Sequence, residues 1–259
     1  MLSIEEIKKQ YPSDIHKFER GLLREYLQFL ILEIIFSSNI STKLSFLGGT
    51  CLRIVHGIKR FSEDLDFDNK ELSSKEFISL AKKIEQELQR QGFDVEIRIT
   101  EKKAIHCHIK FSNILFENKL SNVRTEKIDI QIDTFDQGYE YEPEIYLLNK
   151  FDVFKQIRIT PKEIILSQKL WTITQRNRAK GRDYYDILYL LQNTKPDIGF
   201  LSLKFGVSNW DEAREKILEG IEDIDLDSMV KDVQPFLINK EEGEKIKLFR
   251  DYLKQIEFD

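Results

Sequence analysis

The chain has 259 residues, 41% of them hydrophobic and 33% charged, with a formal net charge of −5. That length allows one large domain or two small ones, with apolar content enough for a core without disulfide staples. A mildly acidic balance excludes bulk binding of polynucleotide, so any such contact falls to a local basic patch.

The two cysteines, Cys51 and Cys107, are too far apart in sequence to suggest a disulfide framework and suit a reducing cytosol. The N-terminus lacks the layout of a signal peptide. The most apolar stretch, 27–36, contains Glu33 and is too short to span a bilayer. A cytoplasmic protein with no membrane contact is expected.

Residues 3 to about 38 read as helical, because Leu22, Leu23, Tyr26, Leu30 and Ile34 recur at helical spacing. Residues 44–47 form a short apolar strand that stops at Gly48-Gly49, and Thr50 opens a short helix. Residues 64–68 alternate carboxylate and apolar side chains, the period of a strand with two unlike faces. Residues 73–91 read as an amphipathic helix with a serine N-cap and Gly92 as its stop. Residues 93–100 and 105–111 read as strands. In 127–135, Ile128, Ile130 and Ile132 take one strand face and Asp129, Gln131 and Asp133 the other. Residues 138–143 are turn-like, Pro161 suits the first turn of a helix, and the chain is mainly helical from 163 onward. This order predicts an α+β fold: a core over 1–155 with N-terminal helices, then a helical domain over 156–259 that completes the active site.

The chemistry concentrates in 46–68. Gly48-Gly49 lets backbone approach a phosphate, the following helix start offers free N–H groups, and Thr50 adds a hydroxyl. Asp64 and Asp66 are two apart in an extended stretch and point the same way, with Asp68 farther along toward a polar turn. Mg²⁺ takes oxygen ligands, so such a pair suits it, and it can neutralise a triphosphate and activate a hydroxyl. Asp129 or Asp133 could supply a third carboxylate. An Asp-x-Asp alone is weak evidence, since Asp225-Leu-Asp227 is another. That copy has no glycine turn before it and lies in an acidic run that reads as solvated surface.

The wording Phe46-Leu-Gly-Gly-Thr-Cys-Leu-Arg, then Arg60-Phe-Ser-Glu-Asp-Leu-Asp-Phe, resembles the nucleotidyltransferase superfamily with its DNA polymerase β-like fold. Within it, the resemblance is to the AbiEii/AbiGii toxin family of abortive-infection and type IV toxin–antitoxin systems. It continues through Glu163-Ile-Ile-Leu-Ser-Gln-Lys-Leu170 and Arg182-Asp-Tyr-Tyr-Asp-Ile-Leu188 and covers roughly 40–195. Gln168 stands where the family often has Glu.

The resemblance implies a metal pair at Asp64 and Asp66, with Asp129 preferred as the third carboxylate and Mg²⁺ (or Mn²⁺) as cofactor. It implies nucleotide contacts from Gly48, Gly49, Thr50, Arg60, Ser62, Lys169, Arg182 and Asp183, and catalytic roles for Lys169 and Asp186. It also implies a toxin that transfers a nucleotidyl group from an NTP to a hydroxyl, with RNA or tRNA as acceptor and a separately encoded antitoxin. The alternatives are a non-catalytic nucleotide-binding module, or nucleotidylation of a protein or small molecule.

Read without the resemblance, Lys169 is a flexible point charge suited to phosphate. Asp183 and Asp186 share a helix face and could instead sit in a structural ion-pair network around Arg182. Arg176, Arg178, Lys180 and Arg182 form the best local basic patch. His106-Cys107-His108 lacks an obvious third and fourth metal ligand. Cys51 reads as packing rather than nucleophile.

Overall fold

The computed structural model describes residues 1–101 and 105–258. The chain divides into two compact units: 1–51, 62–138 and 142–159 form one, and 52–61, 139–141 and 160–259 form the other. The sheet runs on to Ile159, so the division falls a few residues beyond 155. The segments 52–61 and 139–141 cluster with the C-terminal unit, a placement that linear sequence gives no hint of.

The first unit opens with helix α1 (Ile4–Lys8), where Ser3 and Glu6 form a reciprocal capping box, and helix α2 (Glu19–Phe36). Thirteen residues of α2 are buried, so it is a core helix with little polar face. Seven strands follow: β1 (Leu44–Leu47), β2 (Leu65–Asn69), β3 (Val95–Glu101), β4 (Ile105–Phe111), β5 (Ile128–Phe135), β6 (Glu144–Lys150) and β7 (Val153–Ile159). They form one mixed sheet in the order β3-β4-β5-β2-β1-β7-β6. β2 therefore lies mid-sheet, antiparallel to β1 and parallel to β5. Helices α3 (Gly48–Ile54), α4 (Ser74–Arg90) and α5 (Ile114–Glu117) complete the set up to β5. Ser73 caps α4 through a second capping box with Glu76.

One sheet face carries the core. Phe46 and Phe67 are register partners whose rings lie 5.5 Å apart, and Phe36 of α2 lies 6.2 Å from Phe67. Leu65, Ile128, Ile130, Ile132, Ile157 and Ile159 are all buried. Burial of this apolar face forces Asp66 and Asp133 onto the opposite one, since a strand alternates its side chains.

The hairpin of β6 and β7 was not expected from the sequence. Its turn is Phe151-Asp152, and Phe151 has φ +57°, a conformation usually given to Gly or Asn. The strain is offset by packing: the Phe151 ring lies 5.2–6.0 Å from those of Tyr11, Tyr26 and Phe29.

The second unit carries helices α6 (Lys162–Gln175), α7 (Gly181–Leu191), α8 (Ile198–Phe205), α9 (Trp210–Gly220), α10 (Leu226–Val233) and α11 (Phe249–Gln255). Gly181 is required by close packing, because a Cβ there would run into the Met229 carbonyl of α10. No helix among the described residues is long and apolar enough to cross a membrane.

Candidate active site

Within the first unit, β1 ends at Leu47, the register partner of Asp66, and the chain turns at Gly48 with φ +78°. Any side chain at 48 would run into the Asp66 carboxylate. Glycine is therefore needed twice over here, for the left-handed backbone and for the contact. The result places the buried backbone of Gly48 directly against a carboxylate oxygen.

Asp64 lies just before β2 rather than inside it. Its carbonyl accepts a hydrogen bond from the Thr50 hydroxyl. Thr50 is fully buried, so that hydroxyl holds the Asp64 loop in place, where the sequence suggested a phosphate contact. The same loop is pinned from the core side. Gln28, 1% exposed on α2, donates to the carbonyls of Ser62 (3.1 Å) and Glu63 (3.0 Å). Sequence reasoning passed over Gln28; the available signal was an uncharged polar residue within the apolar stretch 26–32. Asp68 is buried and accepts from the Gln137 backbone N–H at 3.0 Å, a structural use.

The register between β2 and β5 pairs Asp66 with Asp133. Asp129 lies four residues upstream on β5, so Asp133, not Asp129, stands beside Asp66. Asp133 accepts from Gln131 Nε2 at 2.6 Å and lies 2.6 Å from His106 Nδ1. Asp129 sits 3.2 Å from His108 Nδ1, and its carbonyl takes a hydrogen bond from Arg24 at 2.8 Å. The two histidines thus serve as partners to β5 carboxylates. No group of three or more His, Cys, Asp or Glu among the described residues is arranged to hold a metal ion by itself.

The later motifs assemble within the second unit. Arg60 clamps Asp186 side-on, Nε to Oδ1 and Nη2 to Oδ2, both at 2.6 Å. The two side chains are 2% and 0% exposed. Lys169 Nζ lies 2.7 Å from Asp186 and 3.0 Å from Asp183, and Arg176 Nε lies 3.0 Å from Asp183. Three cations and two carboxylates form one chain of charge, buried except at Arg176.

Burial opposes the charged forms, but the opposite charges win. Lys169 and Arg60 are held above their ordinary values by Asp186, with Asp183 adding to it. Asp183 is held below the carboxylate range by Lys169 and then Arg176. The family resemblance implies nucleotide contacts for Arg60, Lys169 and Asp183 and a catalytic role for Asp186. In the structure their charged groups are spent on one another, with Arg60 and Asp186 sealed from solvent.

Arg182 packs its guanidinium 4.3 Å from the centre of the Phe236 ring. Of the basic patch, Arg176, Arg178 and Lys180 are exposed. Asp225 caps α10 through the Asp227 N–H, which accounts for that second Asp-x-Asp. Burial raises the thiols of Cys51 and Cys107, the latter to about 12, so neither is a nucleophile at neutral pH.

The pattern of the family described as "Nucleotidyl transferase AbiEii toxin, Type IV TA system" matches residues 31–255. The chain belongs to the AbiEii nucleotidyltransferase toxin family. Solved structures share its fold. A candidate nucleotidyltransferase from Helicobacter pylori aligns over 93% of this chain and 99% of its own, with 18% identity and a TM-score of 0.58. MenT4, a nucleotidyltransferase toxin from Mycobacterium tuberculosis, aligns over 99% and 91%, with 14% identity and a TM-score of 0.56. JHP933 from H. pylori aligns over 92% and 94%, with 18% identity and a TM-score of 0.53. No curated protein matches the chain in sequence. These likenesses establish a nucleotidyltransferase fold, a mixed sheet with flanking helices and a helical C-terminal region.

Proposed function

We propose that this AbiEii-family chain is a metal-dependent nucleotidyltransferase in which an RNA hydroxyl attacks the α-phosphate of an NTP and pyrophosphate leaves, with tRNA as the first acceptor to test. The observation that carries the reading is the contact of Gly48 with Asp66: bare backbone and a carboxylate share one spot, as a metal-bound triphosphate requires.

The donor set fits the metal. Mg²⁺ is commonly held by one or two carboxylates together with substrate phosphates and water, so a closed protein cage is not needed. Asp64 and Asp66 would hold it, and when bound it would neutralise the triphosphate and polarise the phosphorus under attack.

The chain's own residues do the rest. The Gly48-Gly49 backbone carries the phosphate oxygens. Thr50 and Gln28 keep the Asp64 loop fixed, so the carboxylates need little rearrangement when substrate arrives. Asp133, steadied by Gln131 and His106, takes the proton of the attacking hydroxyl; we place the third carboxylate here rather than at Asp129 on the strength of the register with Asp66. Lys169, bound to Asp183 and Asp186, acts as a positioning residue within its own unit. Family membership supports a toxin whose growth arrest is relieved by a separately encoded antitoxin.

The test is incubation with each labelled NTP, Mg²⁺ or Mn²⁺ and total cellular RNA. Label should enter RNA of tRNA size and vanish with Asp64→Ala/Asp66→Ala. Full transfer by that double variant sinks the mechanism, and label appearing in protein instead moves the acceptor to a protein hydroxyl.

A further inference from the structure

Strand β6 is a sheet edge, and among the described residues it pairs only with β7. Proteins normally blunt such an edge with a central lysine, a proline or a bulge, because its open N–H and C=O groups recruit another strand. β6 has none of these devices over its seven residues; its only charges are Glu144 and Lys150, one at each end. On the solvent face it presents Ile145 and Leu147, 59% and 44% exposed, and Phe154 of β7 extends the patch at 68% exposed. An apolar row along an open edge, with no charge on the edge strand between its two ends, is a surface built to be covered.

We propose that it is covered by β6 of a second copy of this chain, paired antiparallel about a two-fold axis through Leu147. The sequence of the strand argues for this occupant. In that register Glu144 of one copy faces Lys150 of the other at both ends, a self-complementary charge pattern. Leu147 meets Leu147, and Ile145 meets Asn149. All of these pairs fall on matching faces, since directly opposed residues of an antiparallel pair share a face. Lys150 keeps its bond to Glu25, 3.2 Å away, and its place over the Tyr11 ring, and with 24% of its side chain exposed can take Glu144 as a further partner. The two sheets then continue as one.

A single strand pair buries less than the roughly 800 Å² per partner of a standard interface, so the dimer is weak, with a Kd on the order of micromolar. Paired Cα atoms in such a ladder lie about 4.5–5.5 Å apart, within the span a disulfide bridges.

Sedimentation of the full chain should therefore show concentration-dependent dimer below about 100 µM. Leu147→Cys should form a disulfide-linked dimer on mild oxidation, while Ile145→Cys, which faces Asn149 of the other copy, should not. The native cysteines are buried and stay silent. Leu147→Lys should abolish the dimer and leave the melting temperature of the chain, diluted well below the Kd, unchanged. A chain that stays monomeric at about 100 µM overturns the proposal, and so does failure of Leu147→Cys to cross-link or equal cross-linking at 145 and 147. A strand-adding protein partner or an RNA on this face would give the first of those results.

Discussion

Lys169 Nζ lies 2.7 Å from the Asp186 carboxylate, which Arg60 grips from its other side at 2.6 Å. One fully buried carboxylate is thus shared by two cations drawn from segments 109 residues apart in sequence (169 − 60). Removing Asp186 leaves Arg60 buried without its carboxylate, which destabilises by about 3–5 kcal/mol, whereas removing Arg60 leaves Asp186 still paired with Lys169. Asp186→Leu should show that loss in urea denaturation, and Arg60→Met a smaller one. The double variant should lose clearly less than the sum of the two, because the cost of leaving Arg60 without its carboxylate disappears once Arg60 is gone. Additive losses would mean that the pair does not act as a unit.

Gly48→Ala tests the turn. Its Cβ meets the Asp66 carboxylate and its backbone is left-handed, so both strain and displacement follow. A stability loss of about 1–3 kcal/mol is expected, with thermal stabilisation by Mg²⁺ and NTP abolished. Unchanged stabilisation by the pair of ligands would remove Gly48 from the nucleotide site.

Asp133→Asn and Asp129→Asn separate the two candidates for the third carboxylate. If the register decides, Asp133→Asn slows transfer by about 10²–10⁴-fold, the usual worth of a positioned base. Asp129→Asn, whose side chain faces His108, should change it only a few-fold. The reverse ranking would restore Asp129.

The contrast between these two aspartates marks how far the sequence could be read. Period-two alternation identifies the face of β5 that carries Asp129, Gln131 and Asp133, and burial of Ile128, Ile130 and Ile132 agrees. It does not identify register, because sliding a strand by four residues leaves its faces unchanged. The glycine turn was legible because a Gly-Gly pair at the end of an apolar strand announces a left-handed backbone, which Gly48 adopts. Thr50, Arg60 and Lys169 were read as substrate contacts because nothing local reveals the Asp64 carbonyl or Asp186 as their partners. The β6–β7 hairpin escaped notice for two reasons: both faces of β6 carry apolar residues, and its turn uses Phe151 where a glycine would have announced it.

Gln28→Leu keeps the volume near Gln28 and removes its amide. The Ser62 and Glu63 carbonyls then lose their donor. A loss of about 1–3 kcal/mol follows from leaving buried polar groups unpaired. Because the loop leading to Asp64 is freed, transfer should fall with little change in NTP affinity. A variant as stable and as active as wild type would show that the loop is fixed by other means.

His56 gives the fold a pH dependence with a definite sign. Burial lowers its pKa from 6.5 to about 4, with Lys162 adding to the effect. The unfolded chain thus takes up a proton at a pH where the folded chain does not. A group with a depressed folded pKa contributes stability above its unfolded value and loses it as pH falls through the window from about 6.5 to about 4. A shift of that size is worth about 2–3 kcal/mol for a mostly buried ring. Stability measured by urea denaturation should decline across that window in the wild type. His56→Gln should flatten the decline while leaving the rest of the acid limb intact, since Asp183, whose pKa is lowered from 3.8, yields only at lower pH. An identical slope in the two proteins would place the ring in water and overturn its burial as the cause.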